Sequence, residues 1–294
     1  MCVTVENSVL TSTYIGSWEI MHPEYGYRHV LAYQNMPQNL SNLPNCMLLP
    51  IQSKQELTPE NIVDTSNCPD FLSKMIEDRL PKMRGIMPSN SENYVMEMGI
   101  YHIAILNNVS KEALKETLKN IPSHKNPNIS EEFMDFFRKT YSKFPLLLCC
   151  FNNQDISKAS PIMVHYVPLR PNILMFNTLE SHGTVPDLNE EMQLTQKILV
   201  GSFQNSHPIF HENKWQNYEL KIDEKTMNEQ ILPFLPKFGL AHNLSEGYIS
   251  PFYNEEDDDL YYEYEKYHSP AFNGDVLFDI GENARYRYYY GILK

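Results

Sequence analysis

The residue best placed to do chemistry is Cys2, in the opening MCVTVENSVL. A residue that small permits removal of Met1, which leaves a thiol and a free α-amine on one residue. The thiolate is a strong nucleophile, and an α-amine with an ordinary pKa of about 7.7–8.0 can take the thiol proton near neutral pH. A second set stands in LESHGTVPD, where Glu180, His182 and Asp187 surround a glycine and a proline in an expected loop. A histidine beside carboxylates titrates near neutrality, and loops are where reactive groups gather. Cys2 and His182 are therefore the candidate catalytic residues, with the Cys2 amine as the base.

The start resembles that of N-terminal-nucleophile hydrolases, in which a Cys after the initiator Met attacks an amide carbon and strands follow at once. That resemblance implies hydrolysis of an amide bond. It departs from the choloylglycine-type members, which place Arg and Asp close to the start, because the first arginine here is Arg28 and the first aspartate Asp64. The CGI opening of glutamine amidotransferases is replaced by CVT.

Other motifs point to structure. Cys149 and Cys150 are adjacent in an expected strand, so their thiols face opposite ways and cannot share a metal. His207 and His211 in HPIFHE are four apart, but Pro208 and Ile209 follow the first His and no third ligand stands at a recognised spacing. His102 and His165 lie inside apolar strands and read as core histidines. The acidic run Glu255 to Asp259 lacks the glycine and alternation of a calcium loop. No metal or cofactor is expected.

The tyrosines form a separate class. Tyr261, Tyr262 and Tyr264 follow the acidic run, and ARYRYYYG puts Arg285 and Arg287 on one face of an expected strand with tyrosines on the other. Tyrosine offers a large amphipathic contact area at low entropic cost. These five residues are the candidate contact surface for a protein partner or for self-association.

Composition limits the remaining classes. Among 294 residues, 37 acids outnumber 24 bases, and the net charge of −13 opposes a phosphate backbone, so no nucleic acid is expected. With 42% hydrophobic and 21% charged residues the chain reads as globular. No G-x-G-x-x-G, Walker A, G-x-S-x-G or kinase pattern occurs, which removes the familiar nucleotide chemistry. The five cysteines show no C-x-x-C spacing and read as a reducing compartment. The start has no secretory pattern, and the longest apolar run, FPLLLCCF, is too short to span a bilayer. A cytoplasmic protein with no membrane partner is expected.

The elements that must position these residues follow from local pattern. TSTYIGSWEI, RHVLAYQN and CMLLPIQ predict strands. PDFLSKMIEDRLP predicts a short amphipathic helix between prolines. Ser110 and Ser130 each stand as an N-cap, with Val109 and Ile129 as staples to Leu114 and Met134. YVMEMGIYHIAIL, PLLLCCFN, PIMVHYVPL and NILMFNTL predict buried strands. PDLNEEMQLTQKILVGS predicts a helix passing into a strand, and DEKTMNEQILPFLP one more short helix. The expected fold is a single α+β domain over residues 1–294, with a largely antiparallel or mixed sheet, three to five short helices, and the acidic Tyr-rich segment 253–268 as an exposed loop. Two functions fit: a non-catalytic interaction or assembly protein, and a cysteine hydrolase using Cys2.

Overall fold

TSTYIGSWEI and RHVLAYQN are separated by a short stretch that contains Pro23 and Gly26, the pattern of two strands that fold back on each other. In the computed structural model, which describes residues 3–80, 97–157, 159–192, 194–204, 219–220, 229–244, 271–280 and 288–291, they form the arms of one long hairpin. After β1 (Val3–Thr4), the arms are β2 (Ser8–His22) and β3 (Gly26–Asn39), followed by β4 (Asn45–Pro50) and β5 (Ile62–Val63). Next come α1 (Phe71–Glu77), β6 (Glu97–Met98), β7 (Tyr101–Leu106), α2 (Lys111–Leu118), α3 (Glu131–Thr140) and β8 (Leu146–Phe151). The later strands are β9 (Ile162–Tyr166), β10 (Ile173–Phe176), β11 (Ser181–His182), β12 (Glu191–Met192) and β13 (Lys197–Ser202). β14 (Phe238–Asn243), β15 (Ala271–Phe272), β16 (Asp275–Asp279) and β17 (Tyr288–Gly291) follow.

Two six-stranded sheets dominate, in the orders β14-β13-β2-β3-β9-β5 and β11-β1-β4-β8-β7-β6. A three-stranded sheet, β10-β16-β17, and the pair β12-β15 are the other sheets among the described residues. Most neighbours run antiparallel, while β1 with β11 and β2 with β13 run parallel, so the sheets are mixed and the helices few.

Alternation along the strands decides the layers. Ile15, Leu31, Tyr33, Val164 and Val200 from the first large sheet meet Met47, Leu49, Leu147, Cys149 and Phe151 from the second in one core. The opposite face of the first sheet, with Trp18, Ile20 and Val30, is covered by Phe71, Leu72 and Ile76 of α1. The opposite face of the second, with Cys46, Leu48 and Cys150, is covered by Leu114 of α2 and Phe133, Met134 and Phe137 of α3. Cys149 and Cys150 thus enter different cores, as adjacent strand residues must.

One irregularity keeps β2 in register with the core. Leu10 and Ile15 both face the space between the sheets although their spacing is odd. A register shift between Thr11 and Tyr14, with Ser12 at φ 52, inserts the residue that inverts the alternation.

The expected helices form at their caps. Ser110 Oγ accepts from Ala113 N, and Ser130 Oγ from Phe133 N, each at 3.2 Å. PDLNEEMQLTQKILVGS differs from its expectation, since it carries β12 and β13 and no helix. Asp187 Oδ1 accepts from Asn189 N at 2.9 Å in a tight Asx turn, and Glu190 O then accepts from Asn273 N at 2.8 Å, so cross-chain pairing replaces a helix start. In DEKTMNEQILPFLP the described part holds a single 3₁₀ turn, Leu232–Phe234, while residues 221–228 lie outside the described residues.

Candidate functional site

Of the candidate catalytic and contact residues, His182 lies within the described chain. Cys2, Tyr261, Tyr262, Tyr264, Arg285 and Arg287 lie outside the described residues, as do His207, His211 and the acidic run. His165 Nε2 is bonded to Glu60 O at 3.0 Å, consistent with a core histidine.

His182 stands at a corner built by two distant parts of the chain. β1 and β11 pair in parallel, with Val3 opposite Ser181 and Thr4 opposite His182. Gly183 N donates to Thr4 O at 3.0 Å and extends the contact. Gly183 has φ +80, and a Cβ there would come 2.9 Å from Asn7 N, so only glycine lets the loop approach this closely. Gly183→Ala is therefore expected to lower stability by about 2 kcal/mol, from the left-handed backbone and the close contact together. A urea titration measures it.

The corner also holds an unusual carboxyl. Asn273 clamps Glu180 through both backbone groups, accepting from Glu180 N at 2.8 Å and donating to Glu180 O at 2.7 Å. The side chain is held in a buried position, with Oε1 4.0 Å from His182 Nε2. Burial pushes the Glu180 carboxyl up to about 7, and the charge of Glu190 adds to it. A carboxyl in that range, beside an imidazole, can give or take a proton at neutral pH.

A second constellation was not visible in the sequence, because its members are distant along the chain. Ser202 Oγ donates to Glu19 Oε1 at 2.6 Å, and Tyr27 Oη donates to Glu19 Oε2 at 2.9 Å. Tyr27 Oη is also 3.1 Å from His29 Nε2, which in turn lies 3.1 Å from Pro171 O. Burial pushes the His29 imidazole down to about 3, so it is neutral. Ser202 is almost wholly buried and bonds a carboxylate rather than the imidazole. The set joins β2, β3 and β13 as an internal polar bridge. No group of three potential metal ligands occurs among the described residues.

Of the five large apolar side chains exposed among the described residues, Met21, at 55%, stands near the turn of the hairpin, and the other four mark a different place. Leu40, Leu43 and Ile156 are about half exposed, at 50%, 53% and 51%, and Val9 is 37% exposed. Their backbone is stitched together at one end of the hairpin. Asn39 N donates to Asn153 O at 2.8 Å, Leu40 N to Asn7 O at 3.0 Å, Asn39 Nδ2 to Leu43 O at 2.8 Å and Gln154 Nε2 to Ser41 O at 3.0 Å. Asn153 Nδ2 adds a bond to Pro37 O at 2.7 Å. These loops hold large apolar groups out to solvent on a fixed scaffold, the arrangement that favours binding at low ordering cost. Loop exposure depends on tertiary contacts, so no sequence signal announced it.

No family model matches the chain, and no curated protein matches it. Among solved structures it is similar to the crystal structure of baculovirus P35, at 16% identity and a TM-score of 0.40, covering 72% of this chain and 71% of that one. It is also similar to mutated baculovirus P35 after caspase cleavage in two structures. In the 2.7 Å structure the identity is 15% and the TM-score 0.38, over 66% of this chain and 67% of that one. In the 3.1 Å structure they are 12% and 0.36, over 67% and 68%.

Proposed function

We propose that this chain is a non-catalytic interaction or assembly protein. The observation that carries this reading is the exposure of Val9 on β2 and of Leu40, Leu43 and Ile156 on the loops hydrogen-bonded to each other at the same end of the hairpin. The partner is a protein surface with an apolar centre, and a second copy offers one through its own patch about a two-fold axis. The Tyr-rich C-terminal region, with Tyr261, Tyr262, Tyr264, Arg285 and Arg287, is the further contact surface of this reading. In its support, β17, which begins just after Arg287, is the outer strand of the β10-β16-β17 sheet among the described residues, and an edge strand can extend its ladder to a partner.

The same reading takes residues 1–294 as one α+β domain acting in the cytoplasm. In support, one core draws on residues from Leu10 to Ile280, and the described cysteines are thiols. No helix among the described residues is long and apolar enough to cross a membrane.

The test is light scattering coupled to size exclusion on the purified chain and on a Leu40→Ser, Leu43→Ser, Ile156→Ser variant. The variant is expected to associate at least about tenfold more weakly. Equal association of the two proteins would remove the patch from the account.

A second reading, hydrolysis of an amide bond by Cys2, is favoured by one observation. The parallel pairing of β1 with β11 brings the residue after Cys2, Val3, opposite Ser181, between Glu180 and His182. Its precondition is tested by intact mass. Retention of Met1 on every molecule sinks it, whereas loss of Met1 followed by an acyl adduct that Cys2→Ala abolishes supports it.

A further inference from the structure

Two of the buried thiols are directly opposed across the centre of the second large sheet. Cys46 of β4 and Cys150 of β8 are register partners, and their Sγ atoms lie 3.7 Å apart. Both side chains enter the core under α2 and α3.

The backbone sets what this pair can do. Cys46 O accepts from Val5 N at 3.0 Å on the β1 side, and Cys46 N donates to the Asn45 side chain at 2.8 Å. Neither group of Cys46 is spent on β8, so the Cys46–Cys150 position is a non-hydrogen-bonded pair. In such pairs the Cα atoms sit about 4.5 Å apart, inside the roughly 4.4–6.8 Å that a disulfide spans. Cys149 follows the alternation into the other core and is not positioned for the same bond.

We propose that Cys46 and Cys150 are a cross-strand disulfide-forming pair, reduced at rest and closed by a small peroxide. One thiolate attacks the peroxide O–O bond, giving a sulfenic acid and releasing hydroxide, which takes a proton to become water. The second thiolate then attacks the sulfenic sulfur, and the hydroxide it displaces is protonated to a second water. Two electrons pass from the sulfurs to the peroxide, and both thiol protons end in water. Burial pushes the Cys46 thiol up, so closure is slow and waits on openings of the sheet.

Closure joins residues 104 positions apart, a long loop whose entropy the crosslink removes from the unfolded chain. The oxidised form is expected to melt about 5–10 °C higher. The test treats the folded full chain with hydrogen peroxide over hours, blocks remaining thiols in denaturant, and reads intact mass and non-reduced peptides. The expected product is lighter by the mass of two hydrogens, with the Cys46 and Cys150 peptides linked. Cys149→Ser should still form it. A linkage through Cys149, or no linked species at all while the chain unfolded in denaturant crosslinks under the same peroxide, overturns the proposal.

Discussion

Gly16→Val is expected to lower the stability of the chain by about 3 kcal/mol, seen as a lower urea midpoint at unchanged slope. Gly16 lies on β2 two residues before Trp18, on the same face. A Cβ built there overlaps the Trp18 ring and meets a Leu72 methyl at 3.0 Å. The ring has no easy retreat. It is wholly buried between β2 and α1, and its Nε1 donates to Phe234 O at 2.7 Å. A valine therefore pushes the indole off that bond and α1 off the sheet. Gly16→Ala should show a smaller loss of the same sign, and tryptophan fluorescence should report the shifted ring in both.

Asp275→Ala is expected to cost about 4 kcal/mol, because it strands several buried donors at once. Asp275 Oδ2 accepts from Tyr141 Oη at 2.6 Å, and Oδ1 from Thr178 N at 3.2 Å and Leu179 N at 3.3 Å. This one carboxyl joins the end of α3, β16 and the chain entering the Glu180 corner. Burial pushes it up to about 7, against those three hydrogen bonds, which favour the charged form.

The sign of the pH dependence follows from that shift. The folded chain keeps the Asp275 proton until about pH 7, while the unfolded chain loses it near 4. Between those values the native state binds more protons, so the stability contribution is full below about pH 4 and falls away as pH rises to 7. Glu180, also raised to about 7, acts in the same direction. Asp275→Asn carries no titrating group, keeps an oxygen to accept from Thr178 N and Leu179 N, and reverses the Tyr141 bond, its amide donating where the carboxyl accepted. Its stability relative to wild type should rise between pH 4 and 7, a difference that the opposing contribution of His29, pushed down to about 3 in both proteins, does not enter. A difference between the two midpoints that stays constant across that range would refute the buried, protonated state of Asp275.

These residues also show which parts of the molecule the chain announces locally. β2, β3, β8 and β9 are runs of β-branched, aromatic and aliphatic residues. α2 and α3 carry a serine cap and a staple within a few residues. Such features depend on neighbours in sequence, so pattern reveals them. The bulge at Ser12 was hidden, because only the partner strand defines the register that it corrects. The helix expected before β13 failed for a related reason: Asp187 closes a turn on Asn189, and Glu190 then pairs with Asn273, far along the chain.

The sites divide in the same way. His182 was legible as a chemical type, but its place beside Thr4 depends on parallel pairing between the chain's beginning and its middle. The pairing of Cys46 with Cys150, the bond between Ser202 and Glu19, and the shared exposure of Leu40, Leu43 and Ile156 are products of topology. None has a spacing that a sequence could display.

If the chain binds protein through its exposed apolar end, solution mass across a range of concentrations shows it most directly. Light scattering at low and high salt should give a mass above that of one chain. The association should strengthen with salt, because screening weakens the repulsion between copies that each carry a net −13 charge while the apolar contact remains. A strict monomer at every concentration and salt, with the Leu40→Ser, Leu43→Ser, Ile156→Ser variant indistinguishable from it, would contradict the account.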